Sequence, residues 1–414
     1  MIGASPVKSM KKYDLIIIGG GMVGASLALL LRPLLRQGLK LALVDAQAVD
    51  PNAPMLPSFD ARTSALSLGT QRALEQLGIW STLAQHCNPI EHIQVSQQAQ
   101  FGRVKLHADE LAVPAMGQVV ENRFLGQALW QALAQESGVD VLAPAKLTAM
   151  TMQPDGAQLT IEADGTQQTL QTALTVLADG ANSTGCRLLG IQQTKHDYRQ
   201  HAIVVNVSFD QPHNNWAYER FTQEGPLALL PLTGNRFGAV WCQSPEQTEA
   251  LMAMDDAQFA RALQQTVGYD KGCISKVGAR QTYPLALVQA TEQVRSHVVV
   301  LGNAAHALHP VAGQGFNLAL RDTQALARQI EHDWHAGALG QLAGLQHYAK
   351  NQQQDQWLTT GMSHALPTLF TQTGSLWSAV RGAGLTALDN LPTAKRLFAR
   401  QAMGLVGQAA PWRN

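Results

Sequence analysis

Six residues near the start of the chain, Gly19-Gly20-Gly21-Met22-Val23-Gly24, constrain the fold more than any other stretch. They follow Tyr13–Ile18, whose consecutive Leu15, Ile16, Ile17 and Ile18 read as a buried parallel strand. They precede Ala25 to Leu35, rich in Ala and Leu, which reads as a helix. In such a strand–turn–helix Gly19 permits the tight turn, and Gly21 lets the backbone approach a pyrophosphate. Gly24 lets helix and strand pack closely, and the helix N-terminus faces the negative charge. A second strand, Leu39–Val44, ends at Asp45, 21 residues past Gly24. An acid about 20 residues on is placed to accept hydrogen bonds from a ribose. The alternative is a Gly-rich turn with an incidental surface Asp, but strand, glycines, helix, strand and acid occur in order. The motif says dinucleotide and does not separate FAD from NAD.

The chain has 414 residues, long for one domain and comfortable for two. Charged residues are only 14% and the net charge is zero, so there is no electrostatic footprint for nucleic acid. Cys87, Cys186, Cys242 and Cys273 are scattered and form no CxxC pair. Reduced thiols in a cytoplasmic protein fit this better than a disulfide framework or a zinc site. Leu15 to Leu31 carries no charge and follows Lys11 and Lys12, as a signal peptide or a short membrane span would. The glycines at its centre argue against both, and no other stretch is apolar for long enough to cross a bilayer.

A second signature lies far downstream. Ser296–Leu301 reads as a strand and runs into Gly302-Asn303-Ala304-Ala305-His306, followed by His309-Pro310-Val311-Ala312-Gly313-Gln314-Gly315-Phe316-Asn317. This resembles the Gly-Asp motif of the aromatic-ring flavoprotein monooxygenases. Thr175-Val176-Leu177-Ala178-Asp179-Gly180-Ala181-Asn182-Ser183 resembles the internal Asp-Gly motif of that family. Phe59-Asp60-Ala61-Arg62-Thr63-Ser64-Ala65-Leu66 resembles the segment that carries its flavin-contacting arginine, and Arg123 matches a second cofactor-facing position. Phe221 to Leu232 and Tyr283 to Leu287 resemble the ubiquinone-biosynthesis branch, and the pattern is most similar to the 2-polyprenyl-6-methoxyphenol hydroxylases. The likeness covers essentially the whole chain beyond the first dozen residues.

The resemblance implies an α/β fold: a Rossmann-like FAD-binding domain with a parallel sheet and helices, an inserted, mostly antiparallel β-sheet substrate domain, and a helical C-terminus. The expected boundaries are 13–87, 118–195 and 293–345 for the FAD-binding domain, 88–117 and 196–292 for the substrate sheet, and 346–414 for the C-terminal helices. The implied FAD contacts are Gly19, Gly21, Met22, Val23, Gly24, Asp45, Arg62, Arg123, Asp179, Gly302, Asn303, Pro310, Gly313, Gln314, Gly315, Phe316 and Asn317. Only one dinucleotide fingerprint is present, so NAD(P)H is implied as a transient reductant. O2 would then react through a flavin C4a-hydroperoxide to hydroxylate a lipophilic, prenylated phenol. Other proteins of a ubiquinone-biosynthesis complex and the inner face of a membrane are the remaining implied contacts. A sister ring hydroxylase and a flavin-binding, non-catalytic subunit stay open as alternatives. Asn303 stands where the wider family has Asp. Its amide oxygen can still accept a hydroxyl hydrogen bond, but the negative charge is gone.

No residue is assigned as catalytic. There is no GxSxG, activated cysteine or carboxylate pair, and a phenol activates its own ring toward electrophilic attack. His306 and His309 have no acidic neighbour in the sequence and read as shaping the flavin turn rather than binding metal. Tyr218 and Arg220 read equally as substrate contacts or as an ordinary strand pair, and Trp216 and Trp241 as core. Residues 391–414 contain Lys395, Arg396, Arg400 and Arg413 and no acid, with Leu391, Ala394, Leu397, Phe398, Ala402 and Leu405 near helical spacing. A closing helix packed on the FAD domain is favoured over a basic amphipathic helix lying on anionic lipid.

Overall fold

A computed structural model describes residues 10–48, 62–371 and 375–405. Phe59, Asp60 and Ala61 of the arginine segment, and Arg413 of the basic tail, lie outside the described residues. Along the chain, the elements that build the site begin with β1 (Lys11–Ile18), α1 (Met22–Leu30), β2 (Leu41–Val44), β3 (His92–Gln97), β4 (Arg103–His107) and α2 (Asn122–Ala134). Then come β5 (Val139–Leu142), β6 (Thr166–Leu177), β7 (Gln193–Phe209), β8 (Trp216–Phe221), β9 (Pro226–Leu232) and β10 (Arg236–Gln243). The last are β11 (Gln281–Ala290), β12 (Val298–Val300), β13 (His306–Ala307), α3 (Gln314–His335), α4 (Leu342–Thr371), α5 (Ser375–Asn390) and α6 (Pro392–Ala402).

The first sheet has the parallel order β12-β6-β1-β2-β5. Leu15, Ile16 and Ile17 are fully buried because helices or chain cover both faces of β1. Strands are added on one side of β1 by β2 and β5 and on the other by β6 and β12. The crevice at the carboxyl ends of β1 and β6 is therefore a topological switch point, where ligand sites form in open α/β sheets. Gly19 follows β1, Asp45 follows β2, Asp179 lies just past β6 and Gly302 just past β12. α1 starts at Met22, earlier than the sequence suggests, and stops at Leu31. A short helix, Arg32–Arg36, restarts there with Pro33 in its first turn.

The second sheet has the order β13-β11-β7-β10-β9-β8-β3-β4 and is antiparallel except where β8 runs parallel to β3. Two helices, Pro245–Ala253 and Asp256–Val267, interrupt a stretch that reads as strands in the sequence. Ser244 caps the first, and Asp255 with Gln258 forms a capping box on the second. Phe259, Leu263 and Val267, spaced by four, cover Val205, Val207, Phe237 and Trp241 on the outer face of the sheet. The chain is thus α/β, with a Rossmann-like sheet, a mostly antiparallel second sheet and a helical C-terminus. α3 packs on α1 and on α4, and α5 lies along β4, where Lys105 N–H donates to Asp389 Oδ1 at 3.0 Å. Among the described residues no helix is long and apolar enough to cross a membrane.

Candidate functional site

The ends of β1, β2 and β6 and the turn after β12 open on one cavity of about 1050 Å³. Gly19, Gly21, Met22, Val23, Asp45, Asp179 and Asn303 line one end of it. Gly24 and Gly302 do not line it. A Cβ on Gly24 would sit 1.9 Å from Gly19 O, so Gly24 is where helix and loop touch. A Cβ on Gly302 would meet Val23 Cγ2 at 3.0 Å. At Gly21 an added Cβ would meet nothing within 4 Å. Gly21 is also the N-cap of α1 and supplies no side chain, which leaves the first N–H groups of the helix open to an anion.

The carboxylates of this end are oriented by backbone. Asp45 Oδ2 accepts from Gly20 N–H at 2.6 Å, and Oδ1 from Gln47 N–H at 2.8 Å. Asp179 Oδ2 accepts from Thr184 N–H at 2.7 Å and Gly185 N–H at 3.1 Å, while its buried Oδ1 has no partner. Trp130 of α2 donates from Nε1 to Gly20 O at 3.0 Å and braces the loop from behind. Sequence reading does not single out Trp130, because an indole brace leaves no spacing signature.

Around the middle of the cavity lie Arg62, Pro310, Gly313, Gln314, Gly315, Phe316 and Asn317. The Arg62 guanidinium sits 4.8 Å above the Tyr283 ring. Gly315 faces open space, and Gln314 Nε2 donates to Ala402 O at 3.5 Å. Asn317 is a staple: Oδ1 accepts from Ser67 N–H (2.9 Å) and Thr70 Oγ1–H (2.7 Å), and Nδ2 donates to Ala65 O and Gly313 O, both at 2.9 Å. Arg123 is not in the wall. It pairs with Glu121 at 2.9 Å and lies 4.5 Å over the Phe124 ring. The neighbouring Asn122 lines the cavity instead and accepts from Ser64 Oγ–H at 2.7 Å.

The two histidines of the turn diverge. His306 does have an acidic partner, contrary to the sequence expectation: Nε2 lies 2.8 Å from Asp322 Oδ2. The acid comes from α3, so inspection of chain neighbours could not find it. His309 is buried in the cavity wall. Its Nδ1 accepts from Val311 N–H at 3.3 Å, which assigns the proton to Nε2, 3.4 Å from Gln200 Oε1. Burial, with the nearby His364, pushes its pKa down to about 4. A bulge in β7 between Asp197 and Gln200, with Arg199 at φ +52°, turns Tyr198 and Gln200 toward this ring.

The far end of the cavity is apolar. Ile93 and Leu106 come from the second sheet, Phe221 from β8, Phe370 from α4, Leu385 from α5 and Phe398 from α6. Phe221 and Phe370 stack with centroids 3.8 Å apart. Tyr218 also lines the cavity, with its hydroxyl pushed up to about 12 chiefly by burial. Arg220 points elsewhere, toward Val267 O at 3.4 Å. Trp216 packs against His92 and His107, Trp241 against Phe259, and neither lines the cavity.

Comparison with known proteins gives a consistent picture. Residues 12–354 match the family described as FAD binding domain. The chain is 35% identical over 396 residues to the ubiquinone hydroxylase UbiL of Rhodospirillum rubrum, covering 95% of this chain and 90% of that protein. It is 30% identical over 408 residues to the 3-demethoxyubiquinol 3-hydroxylase of Escherichia coli, covering 95% and 98%. Its fold is similar to that of p-nitrophenol 4-monooxygenase PnpA from Pseudomonas putida, with a TM-score of 0.78 at 16% identity over 97% of this chain and 100% of that one.

Proposed function

The chain belongs to the FAD-binding-domain family of flavoprotein hydroxylases, and on that premise we propose that it hydroxylates the ring of a polyprenylated phenol, 2-polyprenyl-6-methoxyphenol, in ubiquinone biosynthesis. NAD(P)H and O2 are the co-substrates. The observation that carries this reading is the continuity of the cavity. One space of about 1050 Å³ joins an end of open backbone and carboxylates to an end walled by Ile93, Leu106, Phe370 and Phe398.

The residues present fit FAD. The open N-terminus of α1 beside Gly21 suits a pyrophosphate, and Asp45 suits a ribose. The unpartnered Oδ1 of Asp179 and the exposed amide of Asn303 are acceptors awaiting hydroxyl donors. The space over Gly315 leaves room for a ring. When bound, FAD supplies the redox and oxygen-transfer chemistry. The protein orients and excludes water: the apolar end takes the prenyl tail, and His309, neutral near pH 7, adds no charge of its own to the wall between the two ends. No side chain is assigned as a base.

Contact with a membrane belongs to the same proposal. α6 turns Phe398 and Ala399 toward the cavity and leaves Leu397 66% exposed beside exposed Arg396 and Arg400. A helix with basic and apolar residues on its outer side suits an anionic bilayer surface on the cytoplasmic side, from which a prenylated substrate would enter. A sister ring hydroxylation is the second reading, favoured by the likeness to the E. coli 3-demethoxyubiquinol 3-hydroxylase.

The test is product analysis after incubation with 18O2, FAD, NAD(P)H and two methoxyphenols, one with a short prenyl tail and one without. One labelled oxygen in the ring of the tailed phenol, with faster turnover than the tail-less one, is expected. The ring position labelled distinguishes the two hydroxylase readings. NAD(P)H oxidation that yields only hydrogen peroxide with both phenols would sink the substrate assignment.

A further inference from the structure

We propose that Asp322 is a positioning residue for the FAD-binding turn: through His306 it holds Gly302–His306, and with it the Asn303 amide, in register with the start of α3. The inference rests on FAD occupying the cavity described above.

The turn has an unusual task. β12 belongs to the parallel sheet and β13 to the antiparallel one, so the chain crosses between sheets over Leu301 to Ala305. The backbone holds its first half well. Leu301 N–H donates to Leu177 O at 2.9 Å, and Ala305 N–H to Gly302 O at 3.0 Å. Beyond that, Ala290 N–H donates to Ala305 O at 2.8 Å, and the pairing of β13 with β11 is only two residues long. Asn303 projects from the middle of this crossing into the cavity.

The side-chain anchor at the far end is the His306 Nε2 to Asp322 Oδ2 contact of 2.8 Å. Asp322 is 0% exposed and lies on α3, about one and a half turns past the Gln314–Asn317 stretch that lines the cavity. One hydrogen bond therefore ties together two separate segments of the cavity wall. Asp322 Oδ1 has no partner, and neither does the hydroxyl of buried Tyr348 on α4, which feels the Asp322 charge. A buried carboxylate with one oxygen unsatisfied is a poor way to stabilise a fold, because well-packed apolar residues in place of both partners are often neutral or better. What the carboxylate provides is direction. Small displacements of groups that hold a cofactor cost affinity steeply.

The test uses full-length apoprotein titrated with FAD, with the folded fraction monitored by circular dichroism. Asp322→Leu removes the acceptor at similar volume but leaves the buried His306 Nε2 unpaired, so it is expected to lower the apoprotein melting temperature and, measured on the folded fraction, to weaken FAD binding roughly tenfold. Asp322→Asn keeps an acceptor for His306 and is expected to restore most of that affinity. In an Asn303→Ala background the Asp322→Leu effect should shrink to under about threefold, since the two act on one turn. Wild-type affinity in Asp322→Leu, or an undiminished penalty in the Asn303→Ala background, would overturn the proposal. If Asp322→Leu does not fold, His306→Phe carries the same titration and the same cycle. Failure of the wild-type apoprotein to bind FAD would overturn the cofactor reading together with this one.

Discussion

The two ends of the cavity are built by different means. At the dinucleotide end the working parts are backbone: open amides at the start of α1, turns at the ends of parallel strands, and carboxylates aimed by N–H groups. At the apolar end the working parts are side chains from the second sheet and three helices, Ile93, Leu106, Phe221, Phe370, Leu385 and Phe398 among them. Backbone geometry tolerates few residue types, whereas an apolar wall tolerates many. The first end should therefore be brittle to substitution and the second forgiving.

Gly24→Ala is the strongest challenge to that contrast. Its Cβ would lie 1.9 Å from Gly19 O, a backbone atom that cannot step aside cheaply. We expect about 3 kcal/mol or more of destabilisation and loss of FAD from the purified protein. Gly21→Ala, whose Cβ meets nothing within 4 Å, should melt within a few degrees of wild type yet bind FAD more weakly. Flavin-to-protein ratios and thermal melts on both variants check this. A Gly24→Ala protein with full flavin content and an unchanged melt would break the comparison.

The same contrast explains what the sequence disclosed. Glycines at Gly19, Gly21 and Gly24 and the acid at Asp45 are required by backbone geometry and ligand charge, so their spacing alone pointed to a dinucleotide fold. The apolar end left no such trace: Ile93 and Phe398 lie about 300 positions apart in the chain, and each is ordinary core in its own context. The helices Pro245–Ala253 and Asp256–Val267 were hidden between strands, although Ser244 and the Asp255–Gln258 box marked their starts. The His306–Asp322 bond was invisible because α3 folds back over the turn. Arg123 differs again: a position that matched a family pattern lies outside the cavity wall, against Glu121 and Phe124.

His309 stands where the two ends meet, and its burial gives a prediction in pH. Its pKa is pushed from the ordinary 6.5 down to about 4. Between those values the unfolded chain binds a proton that the folded chain does not, so stability rises with pH. The contribution is fully present above pH 6.5 and is lost as pH falls to about 4, amounting to about 3 kcal/mol. Tyr198 from β7 and His364 from α4 are the titratable side chains in contact with it or coupled to it. Urea unfolding at pH 7 and pH 4.5 should show a steeper loss for wild type than for His309→Gln. Parallel losses would mean that this wall is wetter than its burial implies.

The smallest expected effect is at the outer mouth of the apolar end, and it asks whether that end stops at the protein surface. Lys395 is turned inward to Glu110 and Asp389, at 3.0 and 3.6 Å, so it does not belong to the outer face of α6. Arg396 and Arg400 do, together with exposed Leu397. Near an anionic bilayer each basic residue is worth about 1 kcal/mol, so Arg396→Gln and Arg400→Gln should each lower co-sedimentation with phosphatidylserine-containing vesicles about fivefold. Binding to neutral vesicles should be weak for all forms, and turnover of a tail-less phenol unchanged. The charge effect should fade with added salt, because these groups are exposed and screened. If both variants sediment as wild type does, α6 is only the closing wall of the cavity. Under the proposed function, a prenylated substrate would then reach Phe370 and Leu385 by a route that does not pass the outer face of this helix.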